Sequence, residues 1–229
     1  MISMKILNLY ACLGGNRYKW DDVAKEKGIE IEVTAVELDS EAAKLYQERF
    51  PNDKVIVADA HQYLQDNFKE FDFIWSSPPC PSHSRLVLSN KNKENYDLRY
   101  PDMTLYQEVI FLDNFFKGKY CVENVIPYYE PLIPAQKRGR HLYWSNIKLP
   151  TDLKERPTIG ISTAKNEVKK LCEFHDFDFY KYKGKQPINK MARNLVDYEA
   201  GRTIFETALG IIKKKDEKQT SIFDELNDC

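Results

Sequence analysis

A cysteine held between prolines is the residue in this chain best suited to chemistry. Cys80 stands in the segment SSPPCPSHSR, residues 76–85, directly after the apolar run 71–75. Proline has no backbone N–H and a fixed φ angle, so these prolines should end a strand and hold the cysteine in one orientation at its tip. Ligands bind at such strand ends in α/β sheets, and a held thiol there can act as a nucleophile. The alternative is a buried structural cysteine in a stiff turn.

Acidic residues end two other strand-like runs. Glu37 lies in AVELD and Asp59 in VADAH. In nucleotide-binding sheets an acid at the first of these places accepts hydrogen bonds from ribose hydroxyls, and Asp59 could accept one from an adenine amino group. Gly14 and Gly15 lie between the first strand and the first helix, where a backbone without Cβ can approach a ligand. The pattern predicts an adenosine-sized site; the alternative is that both acids cap helices.

Two further groups could contact a nucleic acid. Glu123 ends the apolar strand of YCVENV, and QKRGR supplies Arg138 and Arg140, a combination that could recognise a base. The segment between Tyr180 and Val196 contains five basic residues and no acid, and we call it the basic strip. The basic residues are Lys181, Lys183, Lys185, Lys190 and Arg193, and Tyr180 and Tyr182 lie among them. Such a strip suits a phosphate backbone, although a solvated surface loop is the alternative.

Strands and helices alternate around these residues. We predict strands at 4–10, 31–37, 55–58, 71–75, from 120 onward and at 141–145, and helices at 18–27, 40–50, 63–68, 103–116 and 197–212. This alternation predicts an α/β fold with a parallel sheet. Ser40 is the expected N-cap of the second helix, and Gly28 should end the first. Residues 86–101 are expected to form a long mobile loop that closes over the site, and 146–185 lack sustained periodicity.

Composition excludes several classes of protein. Lys and Arg number 34 against 35 Asp and Glu, so no global positive field indicates a polyanion partner. The cysteines are odd in number, irregularly spaced and without a CxxC pair, which argues against a disulfide framework and a zinc site; they are Cys12, Cys80, Cys121, Cys172 and Cys229. There is no signal-peptide pattern and no run of about 18 apolar residues. We therefore predict a soluble cytoplasmic protein with no metal and no membrane partner.

Taken in order, LYACLGGN, AVELD, VADAH, SSPPCPSHS, VENV and QKRGR resemble the DNA cytosine C5-methyltransferase family, particularly its small bacteriophage-type members. The resemblance covers nearly all of residues 5–145, and PPC, VEN and QxRxR in that order are its most specific motifs. It implies a Rossmann-like S-adenosylmethionine-dependent methyltransferase sheet, double-stranded DNA as partner, and a role in DNA methylation of the restriction–modification kind. It also implies that the cytoplasm is that of a bacterial or phage-infected host cell.

The resemblance also implies a mechanism. Cys80 would add as a thiolate to carbon 6 of a flipped cytosine, the methyl group would move from S-adenosylmethionine to carbon 5, and β-elimination would release the enzyme. Glu123 would hold the N3 and amino edge of the base, while Arg140, with Arg138, would bind O2. Because an ordinary thiol is mostly protonated near neutral pH, one of these arginines would have to favour the thiolate.

Further site residues follow from the same resemblance. The implied cofactor-binding residues are Tyr10, Gly14, Gly15, Glu37, Leu38, Asp59, Pro79 and Asn194. Among them, Tyr10 and Leu38 would sandwich the adenine, and Asn194 would approach the methionine moiety. The expected nucleic-acid-binding residues are Arg85, Lys91, Lys93, Lys181, Lys183 and Lys185.

The chain departs from the family pattern in two places. The family usually has glycine where Cys12 stands, and we expect this cysteine to pack against the sheet. Relatives also carry a much larger target-recognition domain, so this enzyme would read a short sequence, self-associate or borrow a partner. The expected organisation is a catalytic domain at 1–145, a reduced target-recognition region at 146–189, a helix at 190–212 that returns to the catalytic domain, and a charged flexible tail at 213–229.

Other interpretations stay open. Residues 219–223, QTSIF, resemble the peptide by which bacterial DNA-processing proteins bind the sliding clamp, or are an incidental apolar spot in the tail. A tRNA cytosine-5 methyltransferase would share the catalytic set, and a non-catalytic DNA-binding subunit could keep the fold. An amino-group methyltransferase usually has an aromatic residue after the prolines, where Cys80 stands here.

Overall fold

A seven-stranded sheet forms the centre of the protein. The computed structural model describes residues 3–89, 100–153 and 164–211. The strands are β1 (Ser3–Leu9), β2 (Glu30–Glu37), β3 (Lys54–Val57), β4 (Phe73–Ser76), β5 (Lys119–Val125), β6 (Gln136–Arg138) and β7 (His141–Ser145). Their order across the sheet is β3-β2-β1-β4-β5-β7-β6. The predicted α/β class is confirmed.

The sheet is parallel over most of its width and antiparallel at one edge. Strands β3, β2, β1, β4 and β5 pair in parallel, whereas β7 pairs antiparallel with both β5 and β6. The predicted parallel pairing is confirmed for β1 to β5 and does not extend to this edge, because a tight turn with Gly139 at φ 50° joins β6 to β7 and such a turn permits only antiparallel neighbours. As a result, His141 at the start of β7 pairs with Val125 at the end of β5.

Helices cover both faces of the sheet. They are α1 (Trp20–Lys27), α2 (Ser40–Arg49), α3 (Ala60–Asn67), α4 (Leu86–Ser89), α5 (Thr104–Phe115), α6 (Ala164–His175), α7 (Ile188–Asn194) and α8 (Tyr198–Ala208). The predicted helix ends are close to the observed ones for α1, α2 and α5. Gly28 ends α1 in the left-handed conformation, as expected, at φ 68°.

Three local predictions need correction. Asp39, not Ser40, is the N-cap of α2, because its carboxylate accepts hydrogen bonds from the N–H groups of Glu41 and Ala42. Helix α6 lies in the stretch that showed no sustained periodicity. Helix α4 occupies the start of the predicted mobile loop, and residues 90–99 of that loop lie outside the described residues.

The apolar core is divided between the two faces of the sheet and two further clusters. One face packs α3 and α5 against β1, and the other packs Trp20, Trp75 and Phe205 together. In the third cluster, Leu13 from the turn after β1 contacts the group that includes Leu171 and residues of α7. Part of the region from 146 to 189 thus packs on α2 and on the turn after β1. Its boundary as a recognition region stays a prediction.

A buried ion pair fixes the segment after β1. The Arg17 guanidinium donates to both carboxylate oxygens of Asp53 at 2.9 Å, and the Tyr46 hydroxyl donates to the same carboxylate at 2.8 Å. Since Arg17 and Asp53 are both almost fully buried, removing one partner would leave an uncompensated charge. The pair ties the glycine turn to the segment between α2 and β3.

Within the described ranges, no helix is long and apolar enough to cross a membrane. Nor do those ranges contain a group of three or more side chains positioned to hold a metal ion.

Candidate active site

A large cavity lies at the carboxyl ends of the parallel strands. Its volume is about 1210 Å³, ample for a cofactor together with part of a substrate. It brings together most of the predicted site residues that the structure describes, namely Tyr10, Gly15, Glu37, Leu38, Asp59, Pro79, Cys80, Glu123, Lys183, Lys185 and Asn194. The residues predicted from different parts of the sequence therefore meet in one place.

Other predicted residues lie elsewhere. Gly14, Arg85, Arg138, Arg140 and Lys181 do not line this cavity, and Lys91 and Lys93 lie outside the described residues. Gly14 has a structural reason to be glycine, since its φ is 71° and a Cβ would lie 2.3 Å from the Phe50 ring.

The turn that carries Cys80 is held by hydrogen bonds on both sides of the thiol. Before it, the Pro78 carbonyl accepts from the Asn124 side-chain amide at 3.0 Å. After it, the Cys80 carbonyl accepts from the N–H groups of His83 and Ser84, each at 3.0 Å. The cysteine is half-buried and lines the cavity, so the turn presents the thiol instead of enclosing it.

The surroundings of Cys80 oppose ionisation in the absence of a ligand. Burial and the nearby Glu123 carboxylate raise the pKa of the thiol, whereas a backbone hydrogen bond at Cys80 and the Lys190 ammonium lower it. Among the described residues, the cation that lowers the pKa of this thiol is Lys190, and neither arginine of QKRGR contributes.

Glu123 is a buried carboxyl group at the end of β5. It is 7 % exposed, and its Oε1 lies 3.5 Å from Nε2 of His141. Burial raises its pKa, with a smaller contribution from Asp197 in the same direction, whereas His141 and a hydrogen bond with Ser77 lower it. A raised pKa allows this carboxyl to hold a proton that an ordinary glutamate would release.

The two arginines of QKRGR occupy different environments. Arg138 directs its guanidinium to backbone carbonyl groups, with Nη2 2.6 Å from the Leu149 oxygen and Nε bonded to the Pro150 oxygen. It is therefore not placed to contact a base in the cavity. Arg140 is exposed in the β6–β7 turn, next to the cavity-lining His141.

The acids predicted to bind a cofactor also accept hydrogen bonds from backbone N–H groups. The Glu37 carboxylate accepts from the N–H groups of Cys12 and Asp39, both at 2.8 Å, and burial raises its pKa. Asp59 is the N-cap of α3 and accepts from the Gln62 N–H at 2.9 Å. The two interpretations of these acids are therefore compatible, since each orders the local backbone and still lines the cavity.

The hydrogen-bond acceptors and the apolar surface on this side of the cavity fit S-adenosylmethionine. Carboxylates at the ends of β2 and β3 suit ribose hydroxyls and an adenine amino group, and Leu38 between them is 69 % exposed, which leaves an apolar surface for an adenine ring. Tyr10, at the end of β1, also lines the cavity.

Cys12 adopts a backbone conformation that explains the usual glycine at this place. Its φ is 48°, in the left-handed region that residues with a Cβ rarely adopt. The residue is half-buried and lines the cavity beside Glu37, so the expectation that it packs only against the sheet is incomplete.

Glu108 is a site residue that the sequence reasoning missed. This α5 side chain is fully buried and accepts hydrogen bonds from the hydroxyls of Tyr10 and Ser76, both at 2.6 Å. His61, which lines the cavity, places its Nδ1 3.2 Å from the same carboxylate, and this contact raises the pKa of the imidazole. A single acid on the inward face of an otherwise apolar helix was the available signal.

The basic strip contributes to both structure and the cavity. Lys183, Lys185, Lys190 and Arg193 line the cavity. Of the two interleaved tyrosines, Tyr180 is exposed, but Tyr182 is buried and donates to the Asp39 carboxylate. Tyr182 therefore anchors the strip to the N-terminus of α2 and is not available to stack on a base.

Comparison with known proteins identifies the family. A family model for C-5 cytosine-specific DNA methylases matches residues 4–125. The chain belongs to this family. Its members are S-adenosylmethionine-dependent methyltransferases that act at carbon 5 of cytosine, and the matched residues include Cys80, Glu123 and the predicted cofactor acids.

Two solved structures are similar to this chain, and the second of them shares its fold over most of its length. The chain is similar to a mutant DNMT2 from Spodoptera frugiperda, with 28 % identity over 53 % of this chain and 35 % of the other, at a TM-score of 0.38. The chain thus spans about a third of that protein. It also matches the Entamoeba histolytica methyltransferase EhMeth, with 10 % identity over 93 % of this chain and 100 % of the other, at a TM-score of 0.55. Curated proteins give no significant match.

Proposed function

We propose that this protein is a DNA (cytosine-5)-methyltransferase that acts on a base flipped out of the duplex. The observation that carries the proposal is the meeting of Cys80 and Glu123 in the same cavity as Glu37 and Asp59. Cys80, a nucleophile, and Glu123, an acid that can hold a proton, lie at the ends of β4 and β5. Glu37 and Asp59, which suit a nucleoside, lie at the ends of β2 and β3. A base stacked within a duplex cannot reach a thiol that lines a cavity in the protein, so the target base must leave the stack.

The cofactor half of the cavity would bind S-adenosylmethionine, which supplies an electrophilic methyl group when bound. Glu37 and Asp59 would accept hydrogen bonds from the ribose and the adenine amino group, and Tyr10 and Leu38 would enclose the adenine. Gly15, Pro79 and Asn194, which also line the cavity, complete the proposed set.

Cys80 and Glu123 would activate the cytosine. Carbon 5 of cytosine is a weak nucleophile, and addition of the Cys80 sulfur to carbon 6 makes it an enamine carbon. Glu123, whose raised pKa favours its protonated form, would donate to N3 and so draw charge away from carbon 6 during the addition. Once carbon 5 carries its new substituent, loss of its remaining proton restores the ring double bond and expels the sulfur.

The structure bears differently on each of the remaining predicted contacts with the nucleic acid. Arg140, exposed beside His141, stays the predicted ligand of cytosine O2, whereas Arg138 has no support for this role. Lys183 and Lys185 are proposed to contact the phosphate backbone at the cavity, and residues 146–189 to form a reduced target-recognition region. The proposed clamp-binding peptide at 219–223 lies outside the described residues.

Transfer of a tritiated methyl group from S-adenosylmethionine to unmethylated duplex DNA and to tRNA tests the proposal. We expect 5-methylcytosine in the digested DNA with wild type and with Cys172→Ser, whose thiol is away from the cavity, and none with Cys80→Ser. If label appears in tRNA alone, the substrate is tRNA and not DNA, and the proposed chemistry is unchanged. Cofactor binding without transfer to either nucleic acid would favour a non-catalytic subunit and overturn the proposal.

A further inference from the structure

The backbone of Tyr10 adopts a conformation that is rare for tyrosine. Its φ is 55°, in the left-handed region where a residue with a Cβ is strained. Tyr10 directly follows β1, is half-buried and lines the cavity. Strain of this kind persists only where the surrounding structure fixes the residue, and it concentrates at sites that bind ligands. The contacts of the Tyr10 side chain therefore bear on how its ring is presented to the cavity.

The Tyr10 hydroxyl donates to a buried carboxylate on α5. Its oxygen lies 2.6 Å from Oε1 of Glu108, toward the short end of the range for an O–H···O bond, and the Glu108 side chain is fully buried. The two residues are 98 positions apart in the chain. The bond is therefore a long-range restraint, and the phenol ring can leave its place only if this bond breaks.

The same carboxylate oxygen also holds the start of α3. Nδ1 of His61 lies 3.2 Å from Oε1 of Glu108, and Nε2 of that ring lies 2.8 Å from the side-chain nitrogen of Gln65. Because an amide nitrogen only donates, Nε2 accepts in this arrangement and Nδ1 carries the proton that is donated to Glu108. His61 follows Asp59, the N-cap of α3 and the predicted acceptor of the adenine amino group, by two positions. Glu108 thus links the elements that carry Tyr10 and Asp59.

We propose that Glu108 is a positioning residue for the cofactor, which fixes the Tyr10 ring and the start of α3 at the adenine subsite. Glu108 does not itself line the cavity, so it acts through the side chains that it holds. Ordering a mobile side chain costs free energy on binding, and a ring that is already fixed avoids that cost. The inference rests on the proposed function only in taking Tyr10 and Asp59 as contacts of the adenine.

Ser76 provides a matched control, because it donates to the other oxygen of the same carboxylate. Its Oγ lies 2.6 Å from Oε2 of Glu108, the same distance as in the bond from Tyr10. Ser76 is fully buried at the end of β4 and does not line the cavity. Ser76→Ala therefore removes a bond of equal length from Glu108 and leaves the residues that line the cavity unchanged.

Calorimetric titration with S-adenosylmethionine, in the absence of nucleic acid, tests the proposal. Tyr10→Phe keeps the aromatic ring and removes only the hydroxyl, and we expect the dissociation constant to rise about three- to tenfold. Ser76→Ala should bind the cofactor as wild type does. Glu108→Gln should also stay near wild type, because its side-chain oxygen can accept from Tyr10 and His61 while its amide nitrogen donates to Ser76.

A double-mutant cycle separates positioning from a general loss of stability. Glu108→Leu removes both acceptor oxygens and should weaken cofactor binding, but the effect should be smaller in the Tyr10→Phe background than in wild type, because the two residues act through one bond. If Glu108→Leu does not fold, the comparison of Tyr10→Phe with Ser76→Ala still decides. Equal dissociation constants for Tyr10→Phe and wild type, or equal weakening in Tyr10→Phe and Ser76→Ala, would overturn the proposal.

Tyr10→Ala separates this inference from the proposed adenine contact. It removes the ring and should weaken cofactor binding more than Tyr10→Phe does. If Tyr10→Ala weakens binding and Tyr10→Phe does not, the adenine contact stands and the positioning role of Glu108 is wrong. If Tyr10→Ala binds the cofactor as wild type does, Tyr10 is not an adenine contact, and the positioning role fails with it. Neither result depends on which nucleic acid accepts the methyl group.

Discussion

Asn124 connects the strand that carries Glu123 to the turn that carries Cys80. Its side-chain nitrogen donates to the Pro78 carbonyl at 3.0 Å, and its side-chain oxygen accepts from the Val125 N–H at 2.9 Å. The residue is almost fully buried. The spacing between the proposed nucleophile and the proposed acid is therefore set in part by an amide that needs no contact with the substrate.

Asn124→Ala should reduce methyl transfer more than it reduces cofactor binding. Loss of the bond to Pro78 frees the turn, and small misplacements of a reacting group cost up to about a hundredfold in rate. We expect kcat to fall about 10- to 100-fold, with the S-adenosylmethionine dissociation constant nearly unchanged and the free energy of unfolding lowered by about 1–3 kcal/mol. Steady-state kinetics and calorimetric titration give the two readouts, and an equal effect on both would contradict this role.

Cys12→Gly should leave the fold intact and relieve backbone strain. The φ of 48° is unfavourable for cysteine by about 1–2 kcal/mol, and glycine adopts it freely. Because glycine also gains entropy in the unfolded chain, we expect the free energy of unfolding to rise by no more than about 1 kcal/mol. Urea denaturation measures it. Cys12→Ala keeps the Cβ and is the matched control, so a gain of the same size in both variants would exclude backbone strain as the cause.

Glu123→Gln should change the pH dependence of stability. Burial raises the pKa of Glu123, so the folded protein keeps this proton at pH values where the unfolded chain has lost it. As pH rises from the unfolded value of about 4.3 through the folded value, wild type loses stability that glutamine does not lose. The stability of the variant relative to wild type should therefore increase across this interval and level off above it. Denaturation at a series of pH values measures this, and parallel curves would contradict it.

Replacing Glu108 should destabilise the protein, and the loss should be larger when both carboxylate oxygens are removed than when one is kept. Glu108→Ala leaves the hydroxyls of Tyr10 and Ser76 without their acceptor and should cost about 3 kcal/mol or more. Glu108→Gln keeps one acceptor oxygen and should cost less, and Tyr10→Phe, which removes a single hydrogen bond, should cost about 1 kcal/mol. Chemical denaturation ranks the three variants. A larger effect for Tyr10→Phe than for Glu108→Ala would reverse the expected order.

The strand ends could be predicted because local sequence determines them. Apolar runs followed by proline, glycine or acid define where β1, β2 and β4 stop, and parallel pairing then brings those ends to one edge. Cys80, Glu37 and Asp59 were accessible to this reasoning because each lies at the end of a strand or within four residues of it. Helix α2 was also predictable, although the exact N-cap was not, since Asp39 and Ser40 are adjacent and both favour that position.

The residues that sequence reasoning misplaced depend on long-range packing. QKRGR shows two arginines but not which face each occupies, and β6 directs Arg138 toward the carbonyls of Leu149 and Pro150. Lys190 was assigned to phosphate binding because nothing in the order of residues indicates that α7 would pack on Leu13 and face the cavity. Helix α6 does carry apolar residues at helical spacing, and its Val168 and Leu171 are buried against α7 and the turn after β1.

Because β7 runs antiparallel to β5, it contributes to the cavity through the turn that precedes it, and the length of that turn can vary. Parallel strands can contribute to the cavity only at their carboxyl ends, but β7 delivers His141 there at its amino end, directly after a short turn. The length of that turn can change without moving Glu123 on β5, because β5 stays paired with β4 on its other side. Because this turn also carries Arg140, an insertion between Arg138 and His141 would move the predicted ligand of cytosine O2 while Glu123 stays in place, so the length of the turn alone could alter how the base is held.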